Sequence, residues 1–131
     1  MSHFTAVESK MKDLECILEA IKDLGYSYTQ AEEGVSVRGY ASQLEKADIC
    51  IKVSGKYDVG IRINENGCEL LADWWGVEAT RGVNEQQFTN QIQQRYAYHK
   101  VVKELKAKKY TLDMEEDKTT NVIKLTATKW S

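Results

Sequence analysis

Between residues 49 and 63 apolar and polar side chains alternate almost without a break, and that pattern admits few folds. Ile49, Ile51 and Val53 are followed by a turn at Ser54-Gly55-Lys56 and then by Tyr57, Val59, Ile61 and Ile63. Asp58 and Arg62 fall on the opposite parity. Because neighbouring side chains of a strand point to opposite faces, this reads as a hairpin with one buried and one wet face, the signature of an antiparallel sheet. The chain has 131 residues, 42% of them hydrophobic and 29% charged, with no proline. That suits one globular domain over residues 1–131. Disorder is excluded by recurrent isoleucine, leucine, valine and aromatics at a net charge of only -2. The longest apolar runs are two or three residues, as at Leu70-Leu71-Ala72, far below the ~20 that span a bilayer. Met1-Ser2-His3-Phe4 shows no export signal, so the expected compartment is the cytoplasm, or the stroma if the gene is plastid-encoded.

The remaining elements follow from the same periodicities. A first strand is expected within His3 to Lys10. From Asp13 the period becomes helical: Leu14, Ile17, Leu18, Ile21 and Leu24 share a face, with Asp13 to cap the start and Gly25 to end it. Tyr26 and Tyr28, a turn at Glu33-Gly34, then Val35 and Val37 read as a hairpin. Asn64-Glu65-Asn66-Gly67 turns the chain into a strand from Cys68 to Trp74, followed by an irregular stretch from Gly76 to Val83. Asn84 caps a second helix, Glu85 to Lys108, whose stripe Phe88, Ile92, Tyr96 is rotated from its continuation Tyr98, Val101, Val102, Leu105. Tyr110, Leu112 and Met114, a polar turn from Glu115 to Asn121, and a strand from Val122 to Trp130 close the chain. The expected architecture is α+β: a curved antiparallel sheet of about seven or eight strands with two helices on one face. Tyr26 and Tyr110 at the helix exits, and Tyr40 and Trp130 at strand ends, echo one another as an internal strand-helix-strand-strand duplication would.

Several short motifs, in order along the chain, carry a family resemblance: Met1-Ser2-His3-Phe4, Val37-Arg38-Gly39-Tyr40, Ala47-Asp48-Ile49, Tyr57-Asp58-Val59-Gly60, Glu69-Leu70-Leu71-Ala72-Asp73, Gln94-Arg95-Tyr96-Ala97 and Thr128-Lys129-Trp130-Ser131. The sequence resembles the "hypothetical chloroplast reading frame thirty-five" family of cyanobacteria, algal plastids and other bacteria. The resemblance implies a compartment and a one-domain build, and it brings no assigned activity.

The candidate sites are few. Cys16, Cys50 and Cys68 have no paired spacing and read as reduced structural thiols; a zinc site shared with His3 or His99 has no spacing to support it, and neither metal nor cofactor is expected. In a continued strand Trp74 and Trp75 point to opposite faces, so one ring is expected outside the main core, as a binding anchor or under a covering from Gly76 to Val83. Lys100, Lys103 and Lys106 advance at threefold spacing as a solvent-facing basic strip, which suits the helix dipole or, with Tyr98 and His99, an acidic or RNA partner. RNA-reading signatures are missing. Asp58 and Asp73 on neighbouring strands, with Glu69, are the one carboxylate group that could divide acid and base work; equally, Arg38 or Arg95 pairs with Asp48 or Asp73 to tie the sheet edges together. There is no nucleophile elbow and no phosphate loop. The leading expectation is a small non-enzymatic interaction or accessory subunit that docks on a protein or on itself, through Trp74, Trp75, Asp73, Arg38, Tyr40, Arg95 and Tyr96 and through open sheet edges. The alternative is RNA or single-stranded nucleic-acid binding through the basic helix end, and the third an enzyme built on the carboxylates.

Overall fold

The computed structural model describes residues 3–41, 43–108, 110–117 and 122–129. Five strands form one antiparallel sheet in the order β1-β5-β4-β3-β2: β1 (Thr5–Ser9), β2 (Ser27–Arg38), β3 (Leu44–Lys52), β4 (Asp58–Asn64) and β5 (Gly67–Ala72). The hairpin read from the alternation at 49–63 is β3–β4, with Ile49 opposite Ile61 and Ile51 opposite Val59. Three helices accompany the sheet: α1 (Leu14–Asp23), α2 (Trp74–Arg81) and α3 (Glu85–Ala107). The chain then forms a separate hairpin, β6 (Tyr110–Asp117) with β7 (Val122–Lys129).

The α+β class holds, and its details change. The single sheet of seven or eight strands is five strands plus a two-stranded hairpin, and a third helix replaces the irregular stretch after Gly76. The hairpin expected at Glu33-Gly34 is one continuous strand instead. Gln30 pairs with Ile49 and Val35 with Ala47, so residues 31–34 bulge opposite Asp48 alone. Gly34 has φ 93°, a left-handed conformation that serves the bulge rather than a chain reversal. With β2 and β3 paired on both sides of it, the two halves of the chain no longer match, and the duplication has no support in the strand order. Trp130, the second half of that echo, lies outside the described residues.

Both helix caps read from sequence are present. Asp13 accepts the Cys16 N–H, and Asn84 and Gln87 form a reciprocal capping box. Ile17, Ala20 and Ile21 of α1, Trp74 and Val77 of α2, and Phe88 and Ile92 of α3 pack on Ile49, Ile51, Val59, Ile61, Leu70 and Ala72 of one sheet face. Leu14 is left out at 43% exposure, because the buried stripe of α1 turns through Cys16 and Ala20.

The opposite face is not simply wet. Val37, Ala47 and Cys50 form a second small core with Phe4 and Val35. The bulge lets the sheet curl until the end of β2 lies over β4: a Cβ on Gly60 would meet Val37 Cγ2 at 2.6 Å and Ala47 Cβ at 2.9 Å. Glycine at position 60 is what permits this approach, and the curl carries Arg38 to Asp58.

Candidate functional site

The Val59–Ala72 pairing brings Asp58 and Asp73 side by side where β4 begins and β5 ends. Both are fully buried. Asp58 accepts the backbone N–H of Arg38 at 2.9 Å, its Nε at 2.9 Å and its Nη2 at 2.8 Å, and the same guanidinium donates to the carbonyls of Ser54 and Gly55. Burial pushes the Asp58 carboxyl up, but the bonds from Arg38 outweigh it and hold the group below the usual carboxylate range. The Cys50 thiol also bonds to Asp58, and burial, followed by that charge, pushes the thiol up to about 11. Asp73 caps α2: its Oδ1 accepts the Gly76 N–H and its Oδ2 the Tyr40 N–H, each at 3.2 Å.

Two buried carboxylates therefore grip one loop. Arg38 and Tyr40 donate into them, the Gly39 N–H donates to the Gln43 carbonyl at 3.0 Å, and the Gln43 N–H donates to the Tyr40 carbonyl at 3.1 Å. Ala41 takes φ 57°, a left-handed conformation that a side chain adopts only when its surroundings hold it there. Tyr40 at 53% exposure projects from this loop, Leu44 at 61% from the first position of β3 just after it, and Trp75 at 67% from the start of α2, two residues past Asp73. An open depression runs beside the loop, lined by Arg38, Tyr40, Gln43, Leu44, Lys56 and Tyr57 among others.

The two tryptophans part as expected, for a different reason. The strand stops at Ala72 because Asp73 caps a helix, so Trp74 and Trp75 stand about 100° apart on α2 rather than on opposite faces of a strand. Trp74 is buried against Phe88 and its Nε1 donates to the Thr5 carbonyl at 3.2 Å. Glu69 does not join the other two acids; it pairs in register with Glu8 and Arg62 further along β5. Asp58 and Asp73 accept N–H donors away from solvent, an arrangement that suits holding a loop.

The second set of candidates lies elsewhere, at the contact of α1 with α3. Tyr96 Oη accepts the N–H groups of Lys12 and Asp13, each at 3.1 Å. Lys103 and Lys100 reach Asp13 Oδ2 at 2.8 and 3.3 Å, Lys103 also pairs with Glu15, and His99 Nε2 lies 2.6 Å from Asp23. Two of the three lysines of the expected basic strip are thus partnered by the acidic start of α1, while Lys106 is exposed in the last turn. Tyr98 stacks edge-on against His99. Arg95, half-buried, borders a depression with Arg81, Tyr26 and Asp23.

The cysteines are free and buried. Among the described residues no three His, Cys, Asp or Glu side chains gather as a metal would require, and no helix is long and apolar enough to cross a membrane. Leu44 and Phe4 are the site residues that sequence reasoning passed over. The signal for Leu44 was there: an isolated leucine between the polar Gln43 and Glu45.

Residues 20–126 match the family model described as "Protein of unknown function (DUF1257)". The chain belongs to the DUF1257 family. The matched stretch of this DUF1257 member takes in Arg38, Tyr40, Asp58, Asp73 and Trp75, and leaves Phe4 and the start of α1 outside. The chain is 31% identical over 136 residues to "Uncharacterized protein ycf35" of Guillardia theta, covering 99% of this chain and 98% of that protein. It is 28% identical over 137 residues to the protein of the same name in Pyropia yezoensis, with 100% and 99% covered, and 26% identical over 132 residues to that of Cyanophora paradoxa. The resemblance read from the short motifs is borne out. No solved structure matches.

Proposed function

We propose that this DUF1257 protein is a small non-enzymatic interaction or accessory subunit, acting in the cytoplasm or stroma, that docks on a protein partner through Tyr40, Leu44 and Trp75. The observation that carries this reading is a set of large apolar side chains held out to solvent on a loop and a helix start that two buried carboxylates fix in place. Burying charge costs free energy that an apolar core would not, so rigid presentation of the loop is a reason to keep it. A preordered loop also loses less entropy on docking. Arg38 acts here by positioning, since its guanidinium donates to Asp58 and to two carbonyls rather than to solvent alone.

The test is capture of partners from the native host on tagged protein, with and without nuclease. Trp75→Ala is expected to leave the unfolding free energy within the narrow range of surface substitutions, about 0.5 kcal/mol either way, and to abolish a stoichiometric, nuclease-resistant partner. Retention of that partner by both Trp75→Ala and Tyr40→Ala overturns the reading, as does recovery of partners only through RNA.

A further inference from the structure

The loop that carries Tyr40 and leads into Leu44 leans on residues 3–5. The Phe4 ring covers Gly39 so closely that a Cβ at position 39 would lie 2.6 Å from its Cζ and 2.7 Å from Cε2. Phe4 also packs against Val37, Ala47 and Cys50, the small core beneath the loop. His3 and Phe4 border a depression whose other wall is Gln43, Leu44 and Glu45. On the far side, the Thr5 carbonyl accepts the Trp74 indole N–H, one residue from the exposed Trp75. Residues 4–5 therefore touch the loop directly and, through Trp74, the start of the helix that carries Trp75.

These residues open the least secured strand of the sheet. β1 is an edge strand of five residues, paired only with β5, and Thr5, Ala6 and Glu8 are exposed. A short edge strand with little buried area opens at lower free energy than the strands between β2 and β5.

We propose that the N-terminal strand is a latch on the interaction surface: Phe4, seated on Gly39, is the positioning residue that holds Tyr40 and Leu44 outward, so undocking the beginning of β1 disorders the loop without unfolding the sheet. This rests on the interaction reading for its purpose, and its physical content is tested without any partner.

The measurement is residue-resolved amide hydrogen exchange. The Gly39, Tyr40 and Gln43 amides, all hydrogen-bonded, report the loop; those of Val59 and Ile61 in β4 report the sheet. Phe4→Ala is expected to speed exchange of the loop amides by about tenfold or more while the β4 amides keep their rates, and Phe4→Leu to restore much of the protection. Gly39→Ala, which pushes the ring off, is expected to speed the same amides in the natural background and to add nothing in Phe4→Ala. Equal acceleration of loop and sheet by Phe4→Ala means general destabilisation and overturns the latch. So does a Gly39→Ala effect that is the same with and without Phe4. If the latch fails while Trp75→Ala still loses a partner, the interaction reading stands alone; if the latch holds and no partner is captured, the loop is a structural device only.

Discussion

Arg38 is the residue on which the site turns, and its position on β2 gives no hint of that. Its carboxylate partner is 20 residues away, on a strand that is not β2's neighbour in the sheet. Removing the guanidinium strands Asp58 in the interior with only an amide N–H and a thiol. Arg38→Ala is therefore expected to cost about 2–4 kcal/mol, below the full value for a wholly buried pair because the arginine side chain is 38% exposed. Adding Asp58→Asn should recover part of the loss, since the unpaired buried charge is then gone. Urea unfolding of the two variants at an unchanged slope checks both statements, and a loss within about 0.5 kcal/mol for Arg38→Ala would contradict the clamp.

At the scale of elements, the sheet edges matter as much as the helices. Open edges are expected from sequence to invite pairing with a partner or a second copy, but β1 is short and β2, though continuous, carries a bulge with Glu32 and Glu33 in it. Short, bulged and charged edges discourage strand addition, so the proposed docking surface is placed on the apolar side chains at the sheet end rather than on an edge. The α1–α3 contact shows what the basic strip does within the fold. Lys103, opposed by partial burial and helped by the Cys16 N–H and Lys100, lowers the Asp13 carboxyl from 3.8 to about 2. A carboxyl depressed in the folded state adds stability that is present above its unfolded value, and that stability drains away as pH falls from about 4 to about 2. Lys103→Met lets Asp13 drift back toward its ordinary value. Its melting temperature should fall below that of the natural protein near neutral pH, and the gap should close as both are taken to about pH 2. A gap that persists at that pH would mean Lys103 stabilises by packing rather than by charge.

For the whole molecule, α1, α2 and α3 share one core with the sheet, and the small second core is joined to it through β3 and β4. A single unfolding transition is expected, with tryptophan fluorescence and far-ultraviolet circular dichroism changing at the same urea concentration. Two separated midpoints would show that the chain is not one domain. Much of this organisation was legible beforehand. Alternation located the β3–β4 hairpin, and Asp13 and Asn84 marked the helix starts, because a strand's two-residue period and a helix cap depend on residues within four positions of each other. The helix at Trp74 was missed because Asp73 reads equally as a strand residue and as a cap, and the choice falls to the Gly76 N–H it accepts and to the Tyr57 ring against Gly76.

What the residues determined by themselves is thus local: the α+β class, the faces of the central hairpin, two helix starts, reduced cysteines, and membership of a family through motifs strung along the chain. What only the tertiary structure decided is which distant groups meet. The bulge at Gly34 sets the curl, the curl carries Arg38 to Asp58 past the intervening strand, and the Tyr40 loop and the first turn of α2, which carries Trp75, come to share one anchor in Asp73. Such meetings depend on twist accumulated over whole strands and on close contacts such as Val37 over Gly60, where a single methyl group would force the strands apart.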